Sequence, residues 1–592
     1  MRRLALMTFL LAACMAQAVA AGRDSALADP YAEPGSFVVL SYHEARDDVR
    51  DYPDPYAVDS AALVQQFAWL RGNGYTPVSI DAIISARAGG KPLPPHAVLL
   101  SFDDAYLSFY TRVYPLLREF GFPAVLAVVG RWIDAPHGAA TPYGEKGTVP
   151  DADFPSWREL REMADSGLVE IASHTFDLHH GILANPQGNL QPAATARKYD
   201  AANGSYESDA SWRARVGADL ARNSEVIARE TGRRPRVIVW PYGSYNGKLL
   251  RIARESGMPM ALTLDDGPNT PDVPLTAVRR VLIEHDPSLA EFAVEVRGPR
   301  TREPVRVVQV DLDEIYSADP LRQESNLSAL LDRIEVLKPT HVFLRATTGI
   351  RVDNNAAAYF PNRYLPMRGD LFNRTAWQLA SRTDVKVFAV MPLAGLGVTQ
   401  ERIGEIYEDL ARHANFDGVV FDARPDSGEA LDAASLELTR RLAARMRAFR
   451  MPMAAGRVLN FDPSAQRTDR LPGAVPGIAD AIGEYDYVAL MIRPEAAVDA
   501  ASLAALGSSL GQAGGLPDIW NKVIFMLPGE SWPADRAHPA TIARQMRALQ
   551  LEGALNFGYQ SADFLGDSAP LEALAPAMSL RVYPPRLKEK EE

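Results

Sequence analysis

Short β-branched runs and amphipathic helical stretches alternate along this chain, and the alternation occurs twice. From about Ser36 to His285 the candidate strands are FVVLSYH, AVLLSFDD, AVLAVVG, VEIASHT, RVIVWPYG, MALTLDD and RRVLIEH. Helix-like segments such as AALVQQFAWLRGNG and WRELREMADSG lie between them, each closing on glycine as helices often do. Strands that alternate with helices imply a parallel sheet. Seven or so repeats of this unit predict a distorted (β/α) barrel, with its reactive residues at the C-terminal strand ends.

A charged, proline-bearing stretch, EVRGPRTREPVR (Glu295–Arg306), reads as a linker. The alternation then restarts with VRVVQVDLD, THVFLRAT, VKVFAVMP, FDGVVFDA, YVALMIRP, KVIFMLPG and GALNFGY, a second α/β array most simply closed as another barrel. A length of 592 residues suits two barrels of roughly 250 residues each. The expected domains are therefore 21–300 and 301–585, followed by a polar tail at 586–592. A net charge of −12 argues against a general nucleic-acid binder.

The first 20 residues read as an export signal, since Arg2 and Arg3 precede the short apolar run LALMTFLLAAC. Two cleavage readings compete. LAAC (Leu11–Cys14) resembles a bacterial lipobox, which would make Cys14 the lipidated first residue, whereas AVA (Ala18–Ala20) fits ordinary cleavage. Cys14 is the single cysteine of the chain, so no internal disulfide can form. A periplasmic protein results either way; a lipid anchor at Cys14, followed by Met15, would place it on the outer membrane.

The stretch HAVLLSFDDAYLSF ends an apolar run on adjacent carboxylates, Asp103 and Asp104. Paired like charges are costly in a protein interior unless a cation compensates them. IASHTFDLHHGI adds His174 at a strand end, with His179 and His180 in the loop beyond. One carboxylate and two imidazoles suit Zn²⁺ or a similar ion and leave room for water. Such an ion lowers the pKa of its water to about 7, and a second carboxylate would then serve as general base. A second aspartate pair, Asp265 and Asp266 in LTLDDGP, competes for the role but reads as a turn with Gly267 and Pro268.

The ordered motifs GYTPVSIDAIISARAGGKPLPPHAVLLSFDDAY, SHTFDLHHG and WPYGSYN resemble the polysaccharide deacetylase family, NodB-like and also called carbohydrate esterase family 4. They are closer still to its branch acting on poly-β-1,6-N-acetylglucosamine (PNAG), a biofilm exopolysaccharide. The resemblance implies a NodB-like deacetylase barrel with Asp103 as catalytic base, and with Asp104, His174 and His179 holding Zn, Co, Ni or Fe(II). His180 is the alternative to His179. It further implies His43, in SYHE, as general acid, and the Tyr242 amide after Pro241 as oxyanion donor; a packing role is the competing reading of the Tyr242 ring. Trp157 would line the sugar groove or fill the core at a helix start. Chain order favours Asp103 and Asp104 over Asp265 and Asp266, which follow the histidines. An outer-membrane export porin is the partner the family implies.

VQVDLDEIYSADPLRQESNL and AAYFPNRYLPMRGDLFNRTAWQL resemble the same branch's C-terminal, TIM-like glycoside-hydrolase-like domain, which binds the polymer and in some members cleaves it. Asp311 and Asp313, read as alternate residues of one strand, would share a face. Tyr316, Asn362, Arg363, Arg368 and Asp370 are candidate sugar contacts. Where relatives carry a His-Asp-Asp run this chain has FDARPD, leaving Asp422 and, after a shift, Asp426 as acids. MPLAGL and MIRPEAA lack the expected aromatic platforms, so binding is favoured over cleavage. Other readings are a deacetylase of β-1,4 chitin- or peptidoglycan-like chains, a non-catalytic export module, and a glycosidase centred on the second barrel.

Overall fold

A computed structural model describes residues 31–580, apart from 32–33, 53, 136–139, 144–146, 151–153, 299–302, 349–355, 423–432, 462–473, 493–518, 529–538, 552–553, 562–563 and 566–570. The expected export signal with Cys14, the candidate acid Asp426 and the expected polar tail lie outside the described residues. The chain divides into two compact units: residues 1–180, 213–244 and 250–301 form the first, and residues 181–212, 245–249 and 302–592 the second.

The first unit is built on a parallel sheet. Its strands are β1 (Phe37–Tyr42), β2 (Ala97–Phe102), β3 (Ala124–Val128), β4 (Val169–Ser173), β5 (Val237–Val239), β6 (Met260–Leu262) and β7 (Val281–Leu282), in the spatial order β6-β5-β4-β3-β2-β1-β7. The two-residue strand Thr76–Pro77 pairs at the start of β2. A parallel bridge from Leu262 to Val278 draws the two edges together, so the sheet curls into the distorted barrel that the alternation predicts. β1 and β2 are buried at all six positions, as strands covered on both faces must be. Helices α1 (Ser60–Gly72), α2 (Trp157–Asp165) and α3 (Asp209–Thr231) lie between successive strands along the chain. Ser156 opens α2 with a capping box, its side chain paired reciprocally with Glu159.

The second unit contains a closed parallel barrel. Its strands are β8 (Arg306–Asp311), β9 (His341–Arg345), β10 (Lys386–Pro392), β11 (Gly418–Asp422), β12 (Ala454–Phe461), β13 (Tyr487–Ile492), β14 (Val523–Pro528) and β15 (Asn556–Gln560). Val307, Phe343, Phe388, Val420, Ile524 and Met526 fill its interior, which is a packed core and not a pore.

Two local expectations are corrected. The presumed linker is shorter, because Glu295–Arg297 complete a helix (Leu289–Arg297) and Arg306 already starts β8. Asp311 and Asp313 do not alternate on one strand: β8 ends at Asp311, and α4 (Leu312–Ile315) begins at the next residue. Leu312 and Ile315 are both fully buried, and a three-residue spacing of apolar groups suits a helical turn, not a pleat. Among the described residues no helix is long and apolar enough to cross a membrane.

Candidate active site

Five candidates of the first unit sit just beyond a strand's C-terminal end: His43 after β1, Asp103 and Asp104 after β2, His174 after β4, and Tyr242 after β5. Turning so sharply off β2 requires left-handed backbone, and Asp104 (φ 68°) and Ala105 (φ 53°) both adopt it. The turn separates the two aspartates into different surroundings.

Asp104 is 1% exposed, and its Oδ1 lies 3.3 Å from His174 Nε2 and 3.2 Å from His179 Nε2. The candidate ligand atoms of these three residues all lie within 4.8 Å of one another. Nδ1 of His174 is 2.8 Å from the Val239 carbonyl, which holds the tautomer that leaves Nε2 as a lone-pair donor. This donor set fits a divalent cation. Burial alone would raise the Asp104 carboxyl, but His179 and His174 hold it well below its ordinary value. Burial opposes the charged form of His174 as well, yet Asp104 and Asp103 raise its pKa overall.

Asp103 meets a different cation. Its Oδ1 accepts from Arg280 Nη1 at 2.7 Å, and the Arg280 side chain is completely inaccessible to solvent. Burial favours the neutral acid here too, but Arg280, His174 and His43 outweigh it and lower the pKa. Arg280 is anchored by donating to the Thr263 carbonyl and the Ser101 hydroxyl. It was not singled out from the sequence, where it reads only as the basic start of RRVLIEH.

His43 stacks on Tyr56 with ring centroids 4.8 Å apart, and burial lowers its pKa despite the pull of Asp103 and Asp104. Tyr242 has φ 59°, so its backbone is held in a conformation rare for a non-glycine residue. Its exposed ring packs against His179 at 4.6 Å. Trp132, another residue the sequence did not flag, covers His179 at 4.8 Å. Trp157 instead starts α2 and donates its indole N–H to Asp134 at 2.8 Å. His180 is outside the Asp-His-His group, its pKa lowered by burial. Asp265 and Asp266 lie in the loop after β6.

In the second unit Arg345 joins two candidates, with Nε 2.9 Å from Asp311 and Nη1 3.1 Å from Asp422. Asp313 accepts from the Tyr359 hydroxyl at 2.6 Å and from Arg368 at 3.1 Å, and Arg368 also lies over the Tyr316 ring. The remaining three are drawn elsewhere. Asn362 accepts the amides of Tyr364 and Leu365 within its own loop. Arg363 pairs with Asp409 and Glu405 of α5 (Gln400–His413). Asp370 accepts from the Tyr206 hydroxyl, and burial raises its pKa to about 6.

The strand ends that bring the Asp-His-His group beside Asp103 lie in a stretch that matches a class of proteins, the polysaccharide deacetylases. That family matches residues 90–261, and hypothetical glycosyl hydrolase family 13 matches residues 309–400. The poly-β-1,6-N-acetyl-D-glucosamine N-deacetylase of Escherichia coli K12 is 32% identical, over 97% of both chains. This chain belongs to the poly-β-1,6-N-acetyl-D-glucosamine N-deacetylase family. Among solved structures, the deacetylase domain of BpsB from Bordetella bronchiseptica is 50% identical (TM-score 0.38), covering 41% of this chain and 94% of that one. The glycoside hydrolase domain of PgaB (BpsB) from the same organism is 29% identical (TM-score 0.38), covering 47% and 99%.

Proposed function

We propose that this protein removes acetyl groups from some residues of poly-β-1,6-N-acetyl-D-glucosamine, using a divalent metal held by Asp104, His174 and His179. The observation that carries this reading is the convergence of both Nε2 atoms on Asp104 Oδ1, beside an Asp103 that Arg280 keeps ionised. When bound, the metal, whether Zn, Co, Ni or Fe(II), acidifies water and polarises the acetamide carbonyl. Asp103, charged and facing the same strand ends, takes a proton from the attacking water. The Tyr242 amide, at its fixed left-handed turn, donates toward the oxygen that becomes negative. His43 delivers a proton to the departing amine. Loss of acetate release and of metal binding in His174→Ala, with the fold retained, tests the assignment; unchanged release would refute it.

The second barrel is proposed to hold the polymer at the mouth formed by Asp311, Arg345 and Asp422. Two carboxylates sharing one guanidinium leave acceptors for the hydroxyls and free amines of a partly deacetylated chain. Asp422 is the acid on which any chain cleavage would depend, so counting new reducing ends with Asp422→Asn checks that step. Export to the periplasm, anchoring through Cys14 and hand-over to an outer-membrane porin complete the proposal, resting on the LAAC sequence and the family resemblance. Metabolic labelling with a fatty acid, lost in Cys14→Ser, tests the anchor.

A further inference from the structure

His174 and His179 are five residues apart, so the metal geometry depends on how the intervening loop is held. The loop is short of regular structure: Thr175 has φ 69°, and the Leu178 amide turns back to Thr175 Oγ1 at 3.1 Å. Its fastening comes from α3, a helix in which the sequence reading found no function.

Asp219 of α3 accepts two consecutive loop amides, Phe176 N–H on Oδ1 and Asp177 N–H on Oδ2, both at 2.8 Å. One helical turn on, Asn223 donates to the Val128 carbonyl at 3.1 Å and to Ser173 Oγ at 2.8 Å. Val128 O also accepts the His174 amide at 2.9 Å. Between them, Arg222 lays its guanidinium 3.7 Å from the centre of the Phe176 ring. From the other side, the amides of Gly130 and Arg131 donate to the carbonyls of Thr175 and Phe176. The loop is therefore pinned between α3 and the segment after β3, directly between the two imidazoles.

An ionised carboxylate is a costly group to bury unless hydrogen bonds compensate it. Asp219 is half-buried, and burial pushes its pKa up to about 6 against the lowering effect of the two amides. A neutral amide cannot replace it: an asparagine offers one acceptor and turns an N–H toward the second amide. Apolar packing would serve if the helix needed only to be attached.

We propose that Asp219 is a positioning residue for the metal: by clamping the Phe176 and Asp177 amides it sets the separation and aim of His174 and His179. It touches neither metal nor substrate, and acts through the loop. This rests on the reading of Asp104, His174 and His179 as the metal site.

The test uses the full chain, metal-stripped and titrated with Zn²⁺ against a chromophoric chelator, with the visible spectrum of the Co²⁺ form as a second readout. Asp219→Asn is expected to weaken Zn²⁺ binding about tenfold or more, as lost supports of metal ligands do, and to alter the Co²⁺ bands. Leu220→Ala, which removes a buried apolar group from the same helix, should lower Tm yet keep Zn²⁺ affinity within about threefold of wild type, far from the loss expected for lost support. If D219N does not fold, Asp219→Glu, which shifts the carboxylate by one methylene, is measured in its place. Wild-type affinity and spectrum in the Asp219 variant, or an equal loss in L220A, would overturn the proposal while leaving the metal site standing. A wild-type chain that binds no Zn²⁺ would overturn both.

Discussion

Asp103 and Asp104 are chain neighbours that the structure gives to different cations. Arg280 Nη1 sits 2.7 Å from Asp103, while two imidazoles face Asp104. Asp103→Asn is expected to lower acetate release by about 10²- to 10⁴-fold, the usual loss for a general base, with Zn²⁺ affinity nearly unchanged because the ligand set is intact. Equal loss of metal would move Asp103 into the ligand set. Arg280→Met leaves Asp103 buried beside no guanidinium and should cost about 3–5 kcal/mol in urea unfolding. The double variant D103N/R280M should recover much of that, since no carboxylate then remains to be compensated. The aspartate pair and His174 were legible because each ends an apolar run, and His179 because it follows in the adjoining loop within a family motif. Arg280 was not, because its partner lies 177 residues away and no local pattern marks a distant ion pair.

At the scale of elements, hydrophobic period decided most of what could be read. The seven labelled strands of the first unit come from short apolar runs, and six of them end at or next to the residues that bear chemistry or support it. The period also explains the failure at Asp311 and Asp313. VQVDLD alternates by eye, yet Leu312 and Ile315 are spaced for a helical turn and both are buried. The start of the segment after β3 is equally constrained. A Cβ at Gly130 would lie 2.2 Å from Asn223 Oδ1 and 2.8 Å from Phe176 Cδ2. Gly130→Ala must therefore push apart α3 and the histidine loop. Overpacking of this kind costs about 1–3 kcal/mol, and the account expects weaker Zn²⁺ binding along with the lowered Tm. An unaltered metal affinity would mean that the loop moves freely of its neighbours.

Over the whole molecule, two rounds of strand–helix alternation announced two barrels, and the structure has a curled parallel sheet, a half-barrel, followed by a closed eight-stranded barrel. Residues 181–212 and 245–249 group with the second unit even though they precede it in sequence. Nothing local could signal that, since the partners are remote: Tyr206 donates to Asp370, and Gln191 to Asn373. Asp370 is a candidate sugar contact through the family resemblance, and burial raises its pKa to about 6. A folded-state pKa above the unfolded 3.8 means its contribution is present in full below about pH 4 and is lost as pH rises through about 6. Asp370→Asn keeps an acceptor for Tyr206, so it should match wild type near pH 4 and exceed it by about 2–3 kcal/mol at pH 8. The comparison is read on the unfolding transition of the second unit. Equal stability at both pH values would contradict the assignment.

The most direct test of the central claim is acetate release by the protein lacking residues 1–20, from β-1,6- and β-1,4-linked N-acetylglucosamine oligomers. Each is measured after chelation and again after adding back Zn²⁺, Co²⁺ or Ni²⁺. The account predicts release from the β-1,6 series, abolished by chelation and restored by metal. Release from the β-1,4 series alone would contradict the substrate, and no release from either with metal bound would contradict the chemistry.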